Sequence, residues 1–364
     1  VQGFEFEADL CARVLGRRRV AVLQDLAAIE RRQGIVRSGG GSTRFDHHQI
    51  QEVIYDDLIP ELRSEYHSLL ADAFLEREEA VPTGAGARFV AEHYLRGNRP
   101  RQGLPYLEEA LDHLEGNYRS ESALDLIGRA LELEEEIPPE RRAELLLRRA
   151  GRFDLLGQRD EQRRALDTAL GLAVELDDDR MATRGLLALG QHHHLTANFT
   201  DALGVFREAR RLAETSADRK LESHAIRALA QTELALGRPE EARELLESAL
   251  DLAPGLDDPE EEAAIEGGLG TVFNAVNRVE EARSHLTRAR DLARDLGAKG
   301  IEMAAVGNLG NLALWEGRFD DARELLECAL RMAREIGDRK RETSATLNIG
   351  VMYYSQGLYE EAER

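Results

Sequence analysis

The sequence predicts an all-α protein built from stacked helix hairpins, preceded by a small domain that also contains a β-hairpin. Two observations predict the stack: a skeleton of residues recurs every 40 positions, and each copy has one break at which a helix must end. A third observation, a glycine-rich turn near residue 40 between two short β-type segments, predicts the β-hairpin.

The 40-residue step is clearest in two columns. The break column holds residues that tolerate a left-handed backbone: Gly157, Ala197, Gly237, Asn277, Gly317 and Gly357. Five places later a mostly small residue recurs: Gln162, Ala202, Ala242, Ala282, Ala322 and Ala362. Because a left-handed residue lets one helix stop and another begin, each copy is predicted to contain two helices.

The packing between these helices is also predicted. Large–small pairs precede each break, at Leu189-Gly190, Leu229-Ala230, Leu269-Gly270, Leu309-Gly310 and Ile349-Gly350. Bulky residues follow it, at Leu166, Phe206, Leu246, Leu286 and Leu326. Small residues let helix backbones approach closely, and the bulky residue fills the hole opposite. On this register Gly237→Val and Ala249→Phe are both expected to overfill a helix interface.

These residues resemble the tetratricopeptide repeat, in a variant of 40 residues where the usual repeat has 34. The resemblance covers 138–364, with the last repeat truncated, and the long variant is similar to repeats of bacterial signalling ATPases and animal polarity scaffolds. It implies a right-handed α-solenoid whose first helices line a concave face. A protein or peptide is the expected partner on that face.

The first 80 residues do not follow the 40-residue frame. Helical patterns at Leu10 to Leu15 and Val20 to Ile29 precede a predicted β-hairpin whose turn is Ser38 to Ser42, and two more follow at Gln49 to Leu58 and Pro60 to Glu76. Helices with a small ribbon indicate a winged-helix domain at 1–80. Residues 81–137 are predicted to form irregular helical hairpins that join it to the array.

Residues 45–55, Phe-Asp-His-His-Gln-Ile-Gln-Glu-Val-Ile-Tyr, resemble the winged-helix segment that follows the nucleotide-binding module of STAND-class ATPases. In many of those proteins a histidine at this place touches the phosphates of ADP, and the resemblance assigns that role to His47. The plant-type pattern has an acid after the histidine, whereas this chain has His48. ATP or ADP would be bound through an upstream domain, and the chain would be a fragment of a longer protein.

Composition and charge exclude several partner classes. The chain has 69 acidic and 48 basic residues among 364, a net charge of −21. That balance argues against non-specific binding to nucleic acid or to anionic membranes. No apolar run approaches the roughly 20 residues of a membrane span. Cys11 and Cys328 lie far apart without metal-ligand spacing, which indicates reduced thiols and a cytoplasmic location.

The sequence predicts no catalytic residue, no metal and no cofactor held by this chain itself. None of the three lysines stands in a phosphate-binding loop, and neither a Gly-x-Ser-x-Gly elbow nor a His-Glu-x-x-His pair occurs. His192, His193 and His194 could suggest a metal. Adjacent helical residues point about 100° apart, however, so these three cannot converge on one ion.

A binding surface remains as the expected functional feature. Carried over from the resemblance, its ligand- or peptide-binding residues are Arg184, Gln191, His194, Arg227, Gln231, Thr271, Asn274, Asn311 and Trp315. A ladder of Gln, Thr and Asn can hydrogen-bond an extended peptide backbone. The alternative is that these side chains are simply solvated.

Three functions stay open from the sequence. The first is the sensor arm of a STAND-like signalling ATPase, which binds a protein or a small effector. The second is a stand-alone scaffold whose partner is another polypeptide. The third is a transcriptional regulator that binds DNA through the winged helix, with a groove lined by Arg17, Arg18, Arg19, Arg31, Arg32 and Arg44.

Overall fold

The computed structural model describes residues 1–39, 42–78, 80–253, 256 and 258–363. The chain divides into two compact units, Val1–Ile137 and Pro138–Arg364. Gly40 and Gly41, at the centre of the predicted hairpin turn, lie outside the described residues, as does Arg364.

The first unit is mainly helical and contains a small sheet. Its elements are β1 Glu5–Phe6, α1 Ala8–Val14, α2 Arg19–Gln33, β2 Val36–Gly39, β3 Ser42–Phe45, α3 His48–Asp56, α4 Pro60–Leu75, α5 Gly84–Arg96, a 3-10 helix Pro100–Tyr106, α6 Leu107–Gly116, α7 Ser120–Leu131 and a 3-10 helix Glu134–Glu136. The four helices predicted before residue 80 correspond to α1, α2, α3 and α4.

The sheet has three strands, in the order β1-β3-β2. Strands β2 and β3 pair antiparallel, with Val36 opposite Phe45, so the predicted β-hairpin is confirmed. Strand β1 was not predicted: it has only two residues, too few for an alternating pattern to be recognised, and it pairs Phe6 with Thr43. The identification of this unit as a winged helix stays a prediction.

The second unit consists of helix hairpins, as predicted. The first helices of the hairpins are α8 Pro139–Leu155, α10 Asp179–Leu195, α12 Arg219–Ala235, α14 Pro259–Ala275, α16 Lys299–Trp315 and α18 Arg339–Ser355. The second helices are α9 Arg159–Glu175, α11 Phe199–Thr215, α13 Pro239–Leu252, α15 Val279–Leu296, α17 Phe319–Ile336 and α19 Tyr359–Glu363. The hairpin array is therefore confirmed.

The break column has the backbone conformation that its residue types predict. All six residues have positive φ, from 60° at Ala197 to 76° at Gly357. Asn277 adopts the same conformation with φ 61°. The left-handed residue therefore ends the first helix of every hairpin.

Aspartate side chains fix where several first helices begin. Asp178, Asp218, Asp258 and Asp338 each accept a hydrogen bond from the backbone N–H three residues later, at distances of 2.9, 3.1, 3.2 and 3.0 Å. Such an N-cap stabilises a helix by about 1 kcal/mol. The caps recur at the 40-residue step and so keep the hairpins in register.

Glycine and bulky residues pack as predicted between the two helices of a hairpin. A Cβ atom on Gly270 would lie 2.5 Å from Cγ of Leu286, and one on Gly310 would lie 2.9 Å from Cγ of Leu326. The prediction that a side chain at position 237 overfills a helix interface was wrong. A Cβ on Gly237 would meet nothing within 4 Å, and the φ angle of this residue is +75°. A side chain at 237 therefore strains the backbone and does not overfill an interface.

Within the described ranges, no helix is both long and apolar enough to cross a bilayer. Cys11 and Cys328 are half-buried free thiols.

Candidate functional site

Each first helix of the array presents one stripe of side chains that its neighbours leave accessible. The stripe residues are spaced by four, three, four and three positions, which returns them to the same side of a helix. In α12 they are Lys220, His224, Arg227, Gln231 and Leu234. The corresponding stripes of α8, α10, α12, α14, α16 and α18 together are called here the first-helix face.

Two of the predicted binding residues are arginines that join successive first helices. Arg184 of α10 makes a two-pronged ion pair with Glu144 of α8, with Nη2 2.9 Å from Oε1. Its hydrogen bond holds the pKa of Glu144 below the usual range. Arg227 of α12 donates from Nε and Nη2 to Glu261 of α14, each at 3.2 Å. Both guanidinium groups therefore link successive first helices.

Glu261 is a buried carboxylate that the sequence analysis did not single out. Its side chain is 2% exposed, and it accepts hydrogen bonds from Ser223 Oγ at 2.9 Å and contacts His224 Nε2 at 3.1 Å. Burial alone would raise its pKa, but the hydrogen bond from His224 and the charge of Arg227 outweigh burial and lower it. The sequence signal that could have indicated this contact is the separation of 38 residues between Ser223 and Glu261, which is close to the repeat length.

The predicted polar ladder is connected between successive helices at two points. Thr271 Oγ1 receives a hydrogen bond from Asn308 Nδ2 at 3.0 Å, and His194 Nδ1 lies 3.1 Å from Thr232 Oγ1. Asn311 differs, because its buried Oδ1 has no hydrogen-bond partner among the described residues. A buried carbonyl oxygen without a partner costs about 1–3 kcal/mol.

The remaining predicted residues differ in exposure. Gln231 is exposed, while Gln191 and Asn274 are half-buried. Trp315, the single tryptophan of the chain, is 82% exposed at the end of α16. All nine predicted binding residues therefore lie on first helices, and their role as a ligand site stays a prediction.

Lys340 lies in the first turn of α18. Burial lowers its pKa. Burial, and to a smaller extent the charge of Lys340, lowers the pKa of His194 of α10.

The three consecutive histidines have separate environments. His192 is buried beside Gln162, with Nδ1 3.3 Å from Oε1. His193 Nε2 lies 3.3 Å from Arg163 Nη1. Burial lowers the pKa of both His192 and His194. Each ring therefore packs against a different part of the array.

His47, the predicted phosphate contact, lies in the first unit directly before α3. Its side chain is 73% exposed, and Nε2 is 3.4 Å from Oδ2 of Asp46. Asp46 also pairs with Arg37, whose Nε is 2.5 Å away. The imidazole is thus accessible to a ligand, and its contact with a nucleotide stays a prediction.

The arginines proposed for a DNA groove are all exposed. Arg17 is paired, with Nη1 2.5 Å from Oδ2 of Asp25. An arginine held by a carboxylate has less charge to offer a phosphate. DNA binding through this unit stays an alternative without structural support.

Sequence comparison identifies the repeats. A family model described as Tetratricopeptide repeat matches residues 179–255, 222–295 and 300–364, which together make up half of the chain. A search of curated proteins finds no significant match.

Several solved structures are similar to this chain at low sequence identity. A Rap protein complexed with Competence and Sporulation Factor has a TM-score of 0.59 at 13% identity, over 86% of this chain and 94% of that one. Aspartyl phosphate phosphatase F from Bacillus subtilis has a TM-score of 0.58 at 12% identity, over 89% and 83%. A STAND protein with a tetratricopeptide repeat sensor from Pyrococcus horikoshii has a TM-score of 0.46 at 12% identity, over 98% and 59%. The likenesses to the first two structures concern the fold alone.

Proposed function

Since the chain belongs to the tetratricopeptide repeat family, we propose that it is a non-catalytic regulatory module that binds a protein or peptide on its first-helix face. The observation that carries this proposal is the accessible stripe of side chains that each first helix of the array presents. A row of accessible polar side chains along stacked helices suits the N–H and C=O groups of an extended peptide backbone.

Two further observations support a peptide ligand. Gln231 is exposed on the stripe of α12, and Trp315, which follows the stripe residue Leu314 at the end of α16, is 82% exposed. Amide side chains can bond a backbone in either direction, and a tryptophan offers a large apolar surface that a monomeric protein seldom leaves in water without a use. The Rap protein with a similar fold was solved in complex with Competence and Sporulation Factor, which supplies a precedent for a bound factor in a protein of this fold.

A display library of random peptides selected on the purified chain tests the proposal. Peptides that bind wild type are measured again on Gln231→Arg, which places a bulky charge on the first-helix face, and on Trp315→Arg, which places one directly beside that face. The control is Val174→Arg, an equally exposed change on α9, where Val174 is 76% exposed. We expect both first-helix changes to weaken binding at least tenfold and the control to leave it unchanged. Equal binding to all three variants would exclude the first-helix face.

We propose more specifically that the regulatory role is that of a STAND sensor arm, with His47 as a contact for an ADP phosphate. The support is the resemblance of residues 45–55 and the accessibility of the His47 imidazole. In NMR spectra at millimolar ADP, the His47 ring signals should shift, and adenosine should not reproduce the shift. Ring signals that ADP and adenosine affect alike would remove this role while leaving peptide binding intact.

A further inference from the structure

A groove of about 370 Å³ opens between α11 and α13. Its lining comes from α11, α12 and α13 and consists of Arg207, Arg210, Arg211, Glu214, Leu229, Glu233 and Leu245. Leu229 and Glu233 lie about half a turn around α12 from the stripe residues Arg227 and Gln231. The groove is therefore separate from the first-helix face.

The three arginines share one side of α11, because residues three and four positions apart are neighbours on a helix surface. Among the described residues Arg207 makes no hydrogen bond, and its one ion pair joins Nη2 to Oε1 of Glu233 at 3.7 Å. Arg210 donates to Glu214 through Nε, at 2.7 Å, and not through its two terminal nitrogens. Both guanidinium groups therefore keep N–H donors for a ligand.

The floor of the groove is apolar. Leu229 is 5% exposed and belongs with Phe206 to a buried cluster, against which the half-buried Leu245 packs. The carboxylate of Glu233 accepts a hydrogen bond from Nη1 of Arg238 at 2.9 Å, so its charge is balanced within the protein. A ligand in this groove meets cations on one wall and leucine side chains beneath them.

The neighbouring hairpin shows how the same position is filled elsewhere in the array. At the 40-residue step Glu233 corresponds to Phe273, and Phe153 and Tyr353 stand in the same column. The ring of Phe273 stacks on His285, the counterpart of Leu245, with centroids 5.1 Å apart. Glutamate thus replaces a ring that other hairpins pack at this place.

Helix packing does not require the arginines either. The counterparts of Arg207, Arg210 and Arg211 in α13 are Glu247, Leu250 and Asp251. No other junction of the array combines three arginines with a glutamate in the aromatic column. The combination is therefore specific to the junction of α11, α12 and α13.

The local charge differs in sign from that of the whole chain. The groove and the ion-pair partners of its lining hold four cations and three carboxylates: Arg207, Arg210, Arg211 and Arg238 against Glu208, Glu214 and Glu233. The chain as a whole has a net charge of −21, which repels extended polyanions and anionic membranes. A small anion avoids most of that repulsion.

We propose that this groove binds a small amphiphilic anion. The guanidinium groups of Arg207 and Arg210 hold its carboxylate or phosphate head, and Leu229 and Leu245 contact its apolar body. A guanidinium fork matches the oxygens of both head groups. The volume falls within the roughly 300–1,000 Å³ of small-molecule sites. This site goes beyond peptide binding, since it uses neither the first-helix face nor its residues.

The test uses octanoate and octyl phosphate as probes, 1-octanol as the neutral match and inorganic phosphate as a head without a body. Calorimetric titration at low ionic strength, below micelle-forming concentrations, measures their binding to the purified chain. We expect both anionic octyl probes to bind about tenfold more tightly than 1-octanol, as a charge-assisted hydrogen bond provides. Octyl phosphate should exceed inorganic phosphate by at least about tenfold, which burial of two methylene groups supplies.

Matched variants assign the two parts of the site. In the double variant Arg207→Gln, Arg210→Gln, the anionic probes should bind no more tightly than 1-octanol. Glu233→Phe restores the ring of the other hairpins and should abolish binding of every octyl probe. Arg331→Gln is the control, because this exposed arginine of α17 stands in the column of Arg211, and it should change nothing.

Melting curves establish which variants are folded. Glu233→Phe should fold, since Arg278 lies over the ring of Phe273 at 4.7 Å and Arg238 is the counterpart of Arg278. If it does not fold, the double arginine variant decides alone, because both arginines are accessible and their replacement leaves the core intact.

Five results would overturn the inference. The first is equal binding of octanoate and 1-octanol to wild type, and the second is a preference for anions that the double variant retains. The third is inorganic phosphate bound as tightly as octyl phosphate, which indicates a simple anion site. The fourth is undiminished binding to folded Glu233→Phe. The fifth is sedimentation with phosphatidylglycerol vesicles that the double variant abolishes, which indicates a membrane surface. Peptide binding that depends on Gln231 is unaffected by any of these, so the two proposals fail separately.

Discussion

Gly190 of α10 and Phe206 of α11 are in such close contact that no other residue fits at position 190. A Cβ atom on Gly190 would lie 2.6 Å from Cδ1 of Phe206, and Phe206 itself is 1% exposed. The ring therefore occupies the volume that a side chain at 190 would need. This is the tightest form of the glycine–bulky packing that recurs along the array.

Gly190→Ala is expected to destabilise the chain by about 1–3 kcal/mol, because the added methyl group must displace a buried aromatic ring. The matched control is Gly307→Ala, also within a first helix, where the new Cβ makes only an ordinary 3.7 Å contact. Because alanine favours a helix over glycine by up to about 1 kcal/mol, the control should be neutral or stabilising. Urea unfolding followed by circular dichroism measures both, and equal midpoints would contradict the assigned packing.

Gly237→Val should destabilise through the backbone rather than through packing. The residue has φ +75° and open space around its Cβ position, so a β-branched side chain costs about 1–2 kcal/mol in the left-handed region. Gly237→Asn should cost less, since Asn277 occupies the same column with φ 61°. Thermal melts of the two variants test this predicted order of stability. A valine variant as stable as the asparagine variant would refute the backbone argument.

Glu261→Ala is expected to destabilise the array by about 3 kcal/mol, the lower end for breaking a buried ion pair. The change removes the carboxylate that holds Ser223 and Arg227 of the preceding first helix. Glu262→Ala is the control: Glu262 pairs with Arg288, whose side chain is 59% exposed, and such a surface pair contributes less than about 1 kcal/mol. Similar losses in the two variants, measured by urea unfolding, would show that Glu261 does not join the helices.

The sequence predicted the periodic part of the fold because periodic features are local. The break column requires only a residue that tolerates positive φ, and Gly157, Ala197 and Asn277 all show it in the structure. The glycine–bulky pairing follows from the same register, as Gly270 and Leu286 illustrate. Such features can be read from residue type and spacing alone.

Features that depend on side-chain direction could not be predicted in this way. Arg184 and Arg227 each pair with a glutamate on a neighbouring first helix, contacts that residue type and spacing did not indicate. Glu261 stands in a run of three glutamates, and nothing in the run indicates which one is buried.

Two buried histidines in the first unit share a hydrogen bond. His67 of α4 and His93 of α5 are 3% and 5% exposed, and their Nδ1 atoms are 2.7 Å apart. One ring must donate and the other accept, so the contact requires at least one neutral imidazole. Tyr55 OH lies 3.0 Å from Nε2 of His67 and completes a chain of three side chains. Burial, together with the charge of Arg96, lowers the pKa of His67 to about 3, and burial beside His67 lowers that of His93.

These lowered pKa values predict that acid destabilises the first unit. Below the unfolded histidine pKa of about 6.5, His67 and His93 bind protons in the unfolded chain, whereas in the folded chain they stay neutral until the pH reaches their lower folded pKa values. Stability is therefore complete above that pH and falls toward pH 3, by up to about 1.4 kcal/mol per pH unit for each histidine. Urea unfolding at pH 7 and pH 5 should show the loss, and the double variant His67→Gln, His93→Gln should flatten it. His47→Gln, at a side chain that is 73% exposed, should keep the wild-type slope, and a double variant that also keeps it would disprove the assignment.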